Sequence, residues 1–86
     1  MRPVPHRLAL VDAPSGRSVR VVSVDPAVAA ELAREGLLPG VILSVASRAP
    51  LGGPLVTNLG RTRLALAAGV AARVTVEHLT ETSRQA

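Results

Sequence analysis

The chain has 86 residues, enough for one small domain around a single hydrophobic core. Hydrophobic residues make up 48% of it, yet Phe, Trp and Tyr are absent, so the core must be aliphatic. Grooves for proline-rich peptides and surfaces that stack the bases of single-stranded nucleic acid both depend on aromatic rings. The composition therefore argues against these two functions.

The formal net charge is +4, and all ten basic residues are arginines scattered along the chain. Scattered arginines favour a solvated surface, with a subset available for an acidic partner. Without cysteine there is no disulfide, thiolate metal site or cysteine nucleophile, which is compatible with a cytoplasmic location. Asp12 interrupts the apolar run after the N-terminus, and residues 64–72 are too few to span a bilayer, so no targeting segment or membrane insertion is expected.

The N-terminal part of the chain predicts a loose segment, a tether and a strand. Residues 1–9 contain two prolines and are expected to be flexible, and the domain is expected to cover residues 10–78. Residues 10–16 resemble a short tether into a turn. Residues 17–24 are rich in β-branched side chains, and the slip in alternation at Val21-Val22 predicts a bulge or a strand buried on both faces.

A short helix is predicted over residues 26–35. Asp25 can accept hydrogen bonds from free backbone amides, and Pro26 at the first helical position loses no needed bond. Val28 and Leu32, one turn apart, lie on its apolar face, and Gly36 is suited to end it in a left-handed conformation.

A central strand follows a Pro-Gly turn and is predicted over residues 41–48. Its alternation places Val41, Leu43 and Val45 on the core face. The opposite face is then formed by four residues, namely Ile42, Ser44, Ala46 and Arg48.

The C-terminal half predicts three more strands and a helical turn. A turn over residues 50–54 leads to strands at 55–59 and 62–66, and Arg61 and Arg63 lie on the exposed face. Residues 67–72 predict one helical turn, residues 73–77 a closing strand, and residues 79–86 a flexible polar tail. Five short strands around one aliphatic core predict a mainly β fold, a small and partly open barrel with one short α-helix.

Several motifs in this order make the chain similar to the FeoA family, the small ferrous-iron transport protein A of bacteria. The resemblance covers about residues 10–76, and GLLPG followed by RAPLGGPL is its most specific part. The matching pieces are Ala13-Pro14-x-Gly16, Val21, Val24, Leu32, GLLPG (36–40), Leu43-x-Val45, RAPLGGPL (48–55), LAL (64–66), Ala71 and Val74-x-Val76. Ala13 departs from the family, which usually has a larger aliphatic residue there.

The resemblance implies an SH3-like barrel and a cytoplasmic accessory role in iron homeostasis. Its implied partner is ferrous-iron transport protein B, a membrane transporter with a cytoplasmic G domain. A related barrel ends some metal-dependent repressors, so a stand-alone regulatory or self-associating domain is an alternative. A basic nucleic-acid-binding barrel and an iron chaperone are further alternatives. The sequence does not decide between a monomer and a homo-oligomer.

The chain offers no recognisable catalytic grouping. Its acidic residues show no paired spacing, and neither a phosphate loop nor a Ser-His-Asp set is evident, which predicts a non-enzymatic protein without a cofactor. A site for ferrous iron would require His6 and His78 to meet, with Glu77, Glu81 or Asp12 as a third ligand. Two surface histidines near the chain ends are the simpler interpretation.

An apolar patch with a basic rim is the predicted partner-binding site. Outward alternation exposes two strand residues, and two leucines lie in turns, where apolar side chains are hard to bury. The predicted patch consists of Leu38, Ile42, Arg48, Leu51 and Val56. In the alternative interpretation, Leu38 and Leu51 fold over the open ends of the barrel and cover its core. Arg61 and Arg63 form a separate candidate surface for an acidic partner.

Overall fold

A computed structural model of the chain describes residues 7–79. Its strands are β1 (Arg7–Ala9), β2 (Ser18–Val24), β3 (Ile42–Arg48), β4 (Leu55–Leu59), β5 (Thr62–Leu66) and β6 (Val74–His78). Its helices are α1 (Pro26–Arg34) and α2 (Ala68–Ala71), and a 3₁₀ turn covers Leu10–Asp12. The predicted mainly β fold with one short helix and a helical turn is confirmed. No helix within the described range is both long and apolar enough to cross a bilayer.

Helix α1 begins and ends as its sequence predicts. The Asp25 carboxylate accepts a hydrogen bond from the Ala27 N–H at 2.9 Å, which satisfies a free amide at the helix start. Gly36 has φ +91°, and its N–H and that of Leu37 bond back to the carbonyls of Ala33 and Leu32. This is a Schellman ending, which needs a residue that tolerates positive φ.

The strands form one antiparallel sheet in the order β1-β6-β2-β3-β4-β5. β1 was not predicted: Arg7, Leu8 and Ala9 pair with Glu77, Val76 and Thr75 of β6, so the domain begins before residue 10. A strand of three residues has too little alternation to be recognised, and its partner strand defines it. Of the two segments predicted to be flexible, residues 1–6 and 80–86 lie outside the described residues.

The core is aliphatic and includes buried residues from five of the six strands, β2 to β6. Two residues of the predicted tether belong to it, because Leu10 and Ala13 are fully buried. Thr57 is the buried polar residue, and its Oγ1 donates a hydrogen bond to the Leu64 carbonyl at 3.0 Å. The buried hydrophobic residues are Leu10, Ala13, Val19, Val21, Leu32, Leu37, Leu43, Val45, Leu55, Leu59, Leu66, Ala71, Val74 and Val76.

Two bulges change which face the side chains occupy. The bulge predicted in β2 is confirmed, since its pairing with β6 shifts between Val21 and Ser23. A second bulge in β3 was not predicted and places Ala46 outside the regular pairing with β4. Beyond it, Arg48 pairs with Leu55 and lies on the same face of the sheet as that buried residue, which differs from the predicted alternation, yet Arg48 itself is exposed as expected.

Candidate partner-binding site at the β3–β4 hairpin

Residues 49–54 form a tight connection between β3 and β4. The Ala49 N–H bonds to the Pro54 carbonyl at 2.9 Å, and the Gly53 N–H bonds to the Pro50 carbonyl at 3.2 Å. The inner bond closes a four-residue turn whose two central residues are Leu51 and Gly52. The hairpin thereby holds Leu51 at its outermost point.

Leu51 occupies a backbone conformation that disfavours leucine. Its φ is +59° and that of Gly52 is +74°, and Leu51 is the non-glycine residue with positive φ in the described range. Turns with positive φ at both central positions favour Gly, Asn or Asp, and a left-handed leucine costs about 1–2 kcal/mol. The Leu51 side chain is also completely exposed, at 101% of its reference area. Contacts within the described chain therefore do not offset the backbone cost.

A groove of about 410 Å³ lies beside Leu51 and ends on the barrel core. The buried side chain of Leu55 contributes to its lining, together with Val11 from the 3₁₀ turn and Ala68 from α2. Strand alternation did not reveal Val11 and Ala68, because the groove joins three segments that are distant in sequence. Leu51 and this groove together offer an apolar projection beside an apolar recess.

Arg48 fastens this region to the N-terminal part of the domain. Its guanidinium donates hydrogen bonds from Nη1 to the Val11 carbonyl and from Nη2 to the Ala13 carbonyl. A planar guanidinium can bond two carbonyls at once, which a single ammonium group does less well. Arg48 therefore has a structural role in holding the wall of the groove, in addition to any contact with a partner.

The predicted patch is not one continuous surface. β3 has seven residues, so its two ends lie about 20 Å apart. Leu38 and Ile42, which are 45% and 48% exposed, lie at the start of β3, whereas Arg48 and Leu51 lie at and beyond its end. Val56 faces outward as predicted, is half-buried and pairs with Ser47. The structure thus brings together Arg48 and Leu51.

The two histidines of the predicted iron site cannot both be placed. His6 and Glu81 lie outside the described residues, and within residues 7–79 no group of three or more His, Asp or Glu side chains could hold a metal ion. His78 ends β6, and its Nδ1 is buried without a hydrogen-bond partner in that part of the chain. Glu77 points to the opposite face of β6 and pairs with Arg20 at 3.4 Å, so it does not share a site with His78. Iron binding stays a prediction.

A second groove, of about 590 Å³, lies at the start of α1. Two of the residues that line it, Asp25 and Arg73, form an ion pair. Arg73 Nη1 lies 2.6 Å from Asp25 Oδ2. The backbone hydrogen bond from Ala27, followed by that from Arg73, lowers the pKa of the Asp25 carboxyl. These contacts stabilise the helix start and hold the carboxylate ionised.

Comparison with known proteins identifies the family. The FeoA domain profile matches residues 8–78. The chain belongs to the FeoA family. Members of this family are non-catalytic accessory proteins of ferrous-iron transport. A search of curated protein sequences finds no match.

Solved structures confirm the SH3-like fold. FeoA from Chlorobium tepidum is 33% identical and has a TM-score of 0.77 over 85% of this chain and 71% of that one. FeoA from Stenotrophomonas maltophilia, solved with zinc and described as a prokaryotic SH3 domain protein, is 32% identical, with a TM-score of 0.69 over 79% and 87%. A manganese-dependent transcriptional repressor has a TM-score of 0.78 over 90% of this chain and 44% of its own, but at 21% identity this shows the fold alone.

Proposed function

We propose that this chain is a cytoplasmic accessory protein of ferrous-iron uptake that binds and modulates ferrous-iron transport protein B. The FeoA family assignment supports the iron-transport role, and a homologous FeoA has been described as a candidate ferrous-iron transport activating factor. The protein acts through a protein contact that changes the conformation or assembly of the transporter, and it needs no cofactor of its own.

One observation carries the choice of contact surface: Leu51 is both strained and exposed. A leucine at φ +59° with a fully exposed side chain lowers the stability of the free protein and increases its exposed apolar surface. Strained backbone at an exposed apolar position is typical of a functional contact. Leu51 therefore inserts into an apolar recess of the transporter, with the Val11–Ala68 side of the groove receiving an apolar side chain in return.

The size of this contribution follows from the burial of one leucine. Complete burial of a leucine side chain stabilises a complex by about 1.5–3 kcal/mol, which corresponds to about 10- to 150-fold in affinity. The backbone strain is already present in the free protein, so the hairpin need not reorganise on binding.

The decisive variant is Leu51→Asn. Asn tolerates positive φ, so this substitution removes the apolar side chain and keeps the turn. Leu38→Asn is the matched control, because it makes the same chemical change at another exposed leucine at the opposite end of β3. Binding to detergent-solubilised transporter and to its isolated G domain is measured by pull-down at low and physiological salt. Loss of binding with Leu51→Asn and retention with Leu38→Asn supports the proposal, and equal binding by both variants rejects this surface.

A second candidate function is regulatory self-association. The likeness in fold to the manganese-dependent repressor is consistent with a stand-alone regulatory barrel of this kind. A protein that binds neither the transporter nor its G domain but self-associates would favour this function. A third function, binding to nucleic-acid phosphates, would be marked by a steep loss of binding as salt increases.

A further inference from the structure

A row of neighbouring side chains crosses the outward side of four strands. Glu77 of β6 pairs with Arg7 of β1 on one side and with Arg20 of β2 on the other. Arg20 pairs in turn with Ile42 of β3. Arg20, Glu77 and Ile42 adjoin buried residues along their strands, so their side chains point away from the core. At about 4.8 Å between strands, the row is about 14 Å long.

A second outward row lies two residues away on both β2 and β3 and continues to β5, the last strand of the sheet. It consists of Ser18, Ser44, Asn58 and Arg63. We call the residues of the two rows the outer sheet face. Three arginines and one glutamate give this face a net charge of +2, and within residues 7–79 Glu77 is its only acidic residue.

Acidic residues are concentrated on a different part of the domain. Asp25 and Glu35 are the cap residues of α1, and Glu31 lies within the helix, whereas Arg34 is the only basic residue of this segment. The helix and its caps therefore carry a net charge of −2. Leu32 of the same helix is 5% exposed and belongs to the core. Helix α1 thus lies on the core side of the sheet, opposite to the outer sheet face.

We propose that the outer sheet face lies against the anionic headgroups of a lipid bilayer. The inference goes beyond the transporter contact and uses different residues, since Leu51 lies beyond the other end of β3. Guanidinium groups bond to phosphate oxygens while their aliphatic stems pack along the interface. The negative charge of α1 is then turned away from the bilayer, which orients the domain on the surface.

The exposure of Ile42 favours a lipid surface over an acidic protein as the occupant. Its side chain is 48% exposed and lies directly beside Arg20. Apolar side chains among basic ones are typical of protein surfaces that bind the bilayer interface, where the apolar group enters the headgroup layer. Ile42 therefore adds an apolar contribution to the electrostatic attraction.

The spacing of the arginines and the shape of the surface also favour lipid. Arg7 and Arg20 are two strand spacings apart, about 10 Å, and Glu77 lies between them, so they do not converge on one carboxylate. Side chains that anchor protein partners commonly fill pockets. Three grooves of about 350, 410 and 590 Å³ on the described surface are lined by residues outside the outer sheet face. A layer of headgroups requires neither a pocket nor convergent charges.

The first test is binding of the full chain to vesicles, measured by co-sedimentation. Vesicles of equal parts phosphatidylglycerol and phosphatidylcholine should bind the protein at up to about 5 mM lipid, whereas pure phosphatidylcholine should not, because attraction to anionic lipid is required. Binding should fall several-fold as salt is raised from about 50 to about 300 mM, since screening increases. Polyglutamate at the same concentration of negative charge should bind more weakly, because it offers no apolar layer to Ile42.

The second test uses matched pairs of single-charge variants. Glu77→Gln removes the negative charge of the outer sheet face and should strengthen vesicle binding about fivefold, whereas Arg7→Gln should weaken it about fivefold. Glu35→Gln and Arg34→Gln make the same charge changes at α1 and should leave binding within about twofold of that of the unmodified chain. Thermal unfolding establishes that all four variants are folded.

The third test removes apolar surface without changing charge. Ile42→Thr keeps a β-branched residue in β3 and should weaken vesicle binding several-fold, because less apolar area enters the interface. Its salt dependence should match that of the unmodified chain.

The outcomes separate this proposal from the transporter contact. Absence of vesicle binding overturns the inference, and so does an equal response of the α1 variants and the outer-face variants, because net charge alone would then account for the binding. Polyglutamate binding as tight as vesicle binding would overturn it in favour of an acidic protein. Leu51→Asn should bind vesicles like the unmodified chain, so failure at the transporter and failure at the bilayer are distinct results.

Discussion

Two turns on either side of β3 solve the same backbone problem with different residues. In the turn after α1, Gly36 and Gly40 take the positive φ values, +91° and +95°, and the leucine next to Gly36 is buried at 1% exposure. In the β3–β4 turn, Leu51 itself takes a positive φ and its side chain is fully exposed. In the first turn glycines take the left-handed conformation and the neighbouring leucine is buried, as expected for a stable turn. In the second turn a leucine takes that conformation and its apolar side chain is exposed, and both features lower stability.

The difference indicates what each turn is for. Glycine at a left-handed position carries no side-chain penalty, so the first turn closes the core at low cost. Leucine at such a position lowers stability and gains no burial within the described chain. We infer that the second turn serves recognition, and substitutions in the two turns should therefore have opposite effects on stability.

The largest effect should come from Leu37→Ala in the first turn. Removal of this buried side chain leaves a cavity in a core without aromatic residues, so the free energy of unfolding should fall by about 2–5 kcal/mol. The neighbouring Leu38→Ala, at an exposed position, should change it by less than about 0.5 kcal/mol. Urea unfolding of both variants measures the contrast, and equal effects would mean that Leu38 is also a core residue in solution.

Arg48→Met should have the next largest effect. Methionine keeps the aliphatic stem but leaves the Val11 and Ala13 carbonyls without the guanidinium, which should cost about 1–3 kcal/mol of unfolding free energy. Hydrogen exchange of amides in the 3₁₀ turn should increase in the same variant. An unchanged free energy of unfolding would show that water hydrogen-bonds to these carbonyls as favourably as the arginine does.

The clearest test of the comparison is a pair of substitutions at positive φ. Gly36→Ala should destabilise the fold by about 1–2 kcal/mol, and the cause is backbone conformation, since the new Cβ would meet Leu59 at an ordinary 3.8 Å. Leu51→Asn should stabilise it by about 0.5–1 kcal/mol, because Asn tolerates this conformation better. Thermal unfolding should therefore shift in opposite directions, and a loss of stability in Leu51→Asn would show that Leu51 packs within the free protein.

The smallest effect concerns pH at the start of α1. The pKa of Asp25 is lowered in the folded state from its ordinary value of 3.8 by the Ala27 N–H and by Arg73. Its stabilising contribution is therefore present above the unfolded pKa and is lost as pH falls through the folded pKa. Asp25→Asn keeps the helix cap but has no charge to lose, so its melting temperature should fall less between pH 5 and pH 2 than that of the unmodified chain. Parallel acid profiles would contradict this assignment.

Much of the fold could be predicted because its signals are local. Asp25-Pro26 and Gly36 define the ends of α1, and alternation defines β4 and β5. The missing parts depend on contacts between distant segments. β1 is defined by its pairing with β6, and the Ala46 bulge, which puts Arg48 on the same face as Leu55, is visible only in the pairing with β4. The predicted patch separates because its residues lie at opposite ends of β3, which are about 20 Å apart, although Leu51 in its Pro-Leu-Gly-Gly turn was identified from the sequence.

The measurement that tests the central claim most directly is the affinity of the intact transporter for the unmodified chain, Leu51→Asn and Leu38→Asn at physiological salt. The account predicts that Leu51→Asn binds at least about tenfold more weakly while being as stable as the unmodified chain or more so, and that Leu38→Asn binds normally. Equal affinities for the three proteins would contradict a recognition role for the strained leucine.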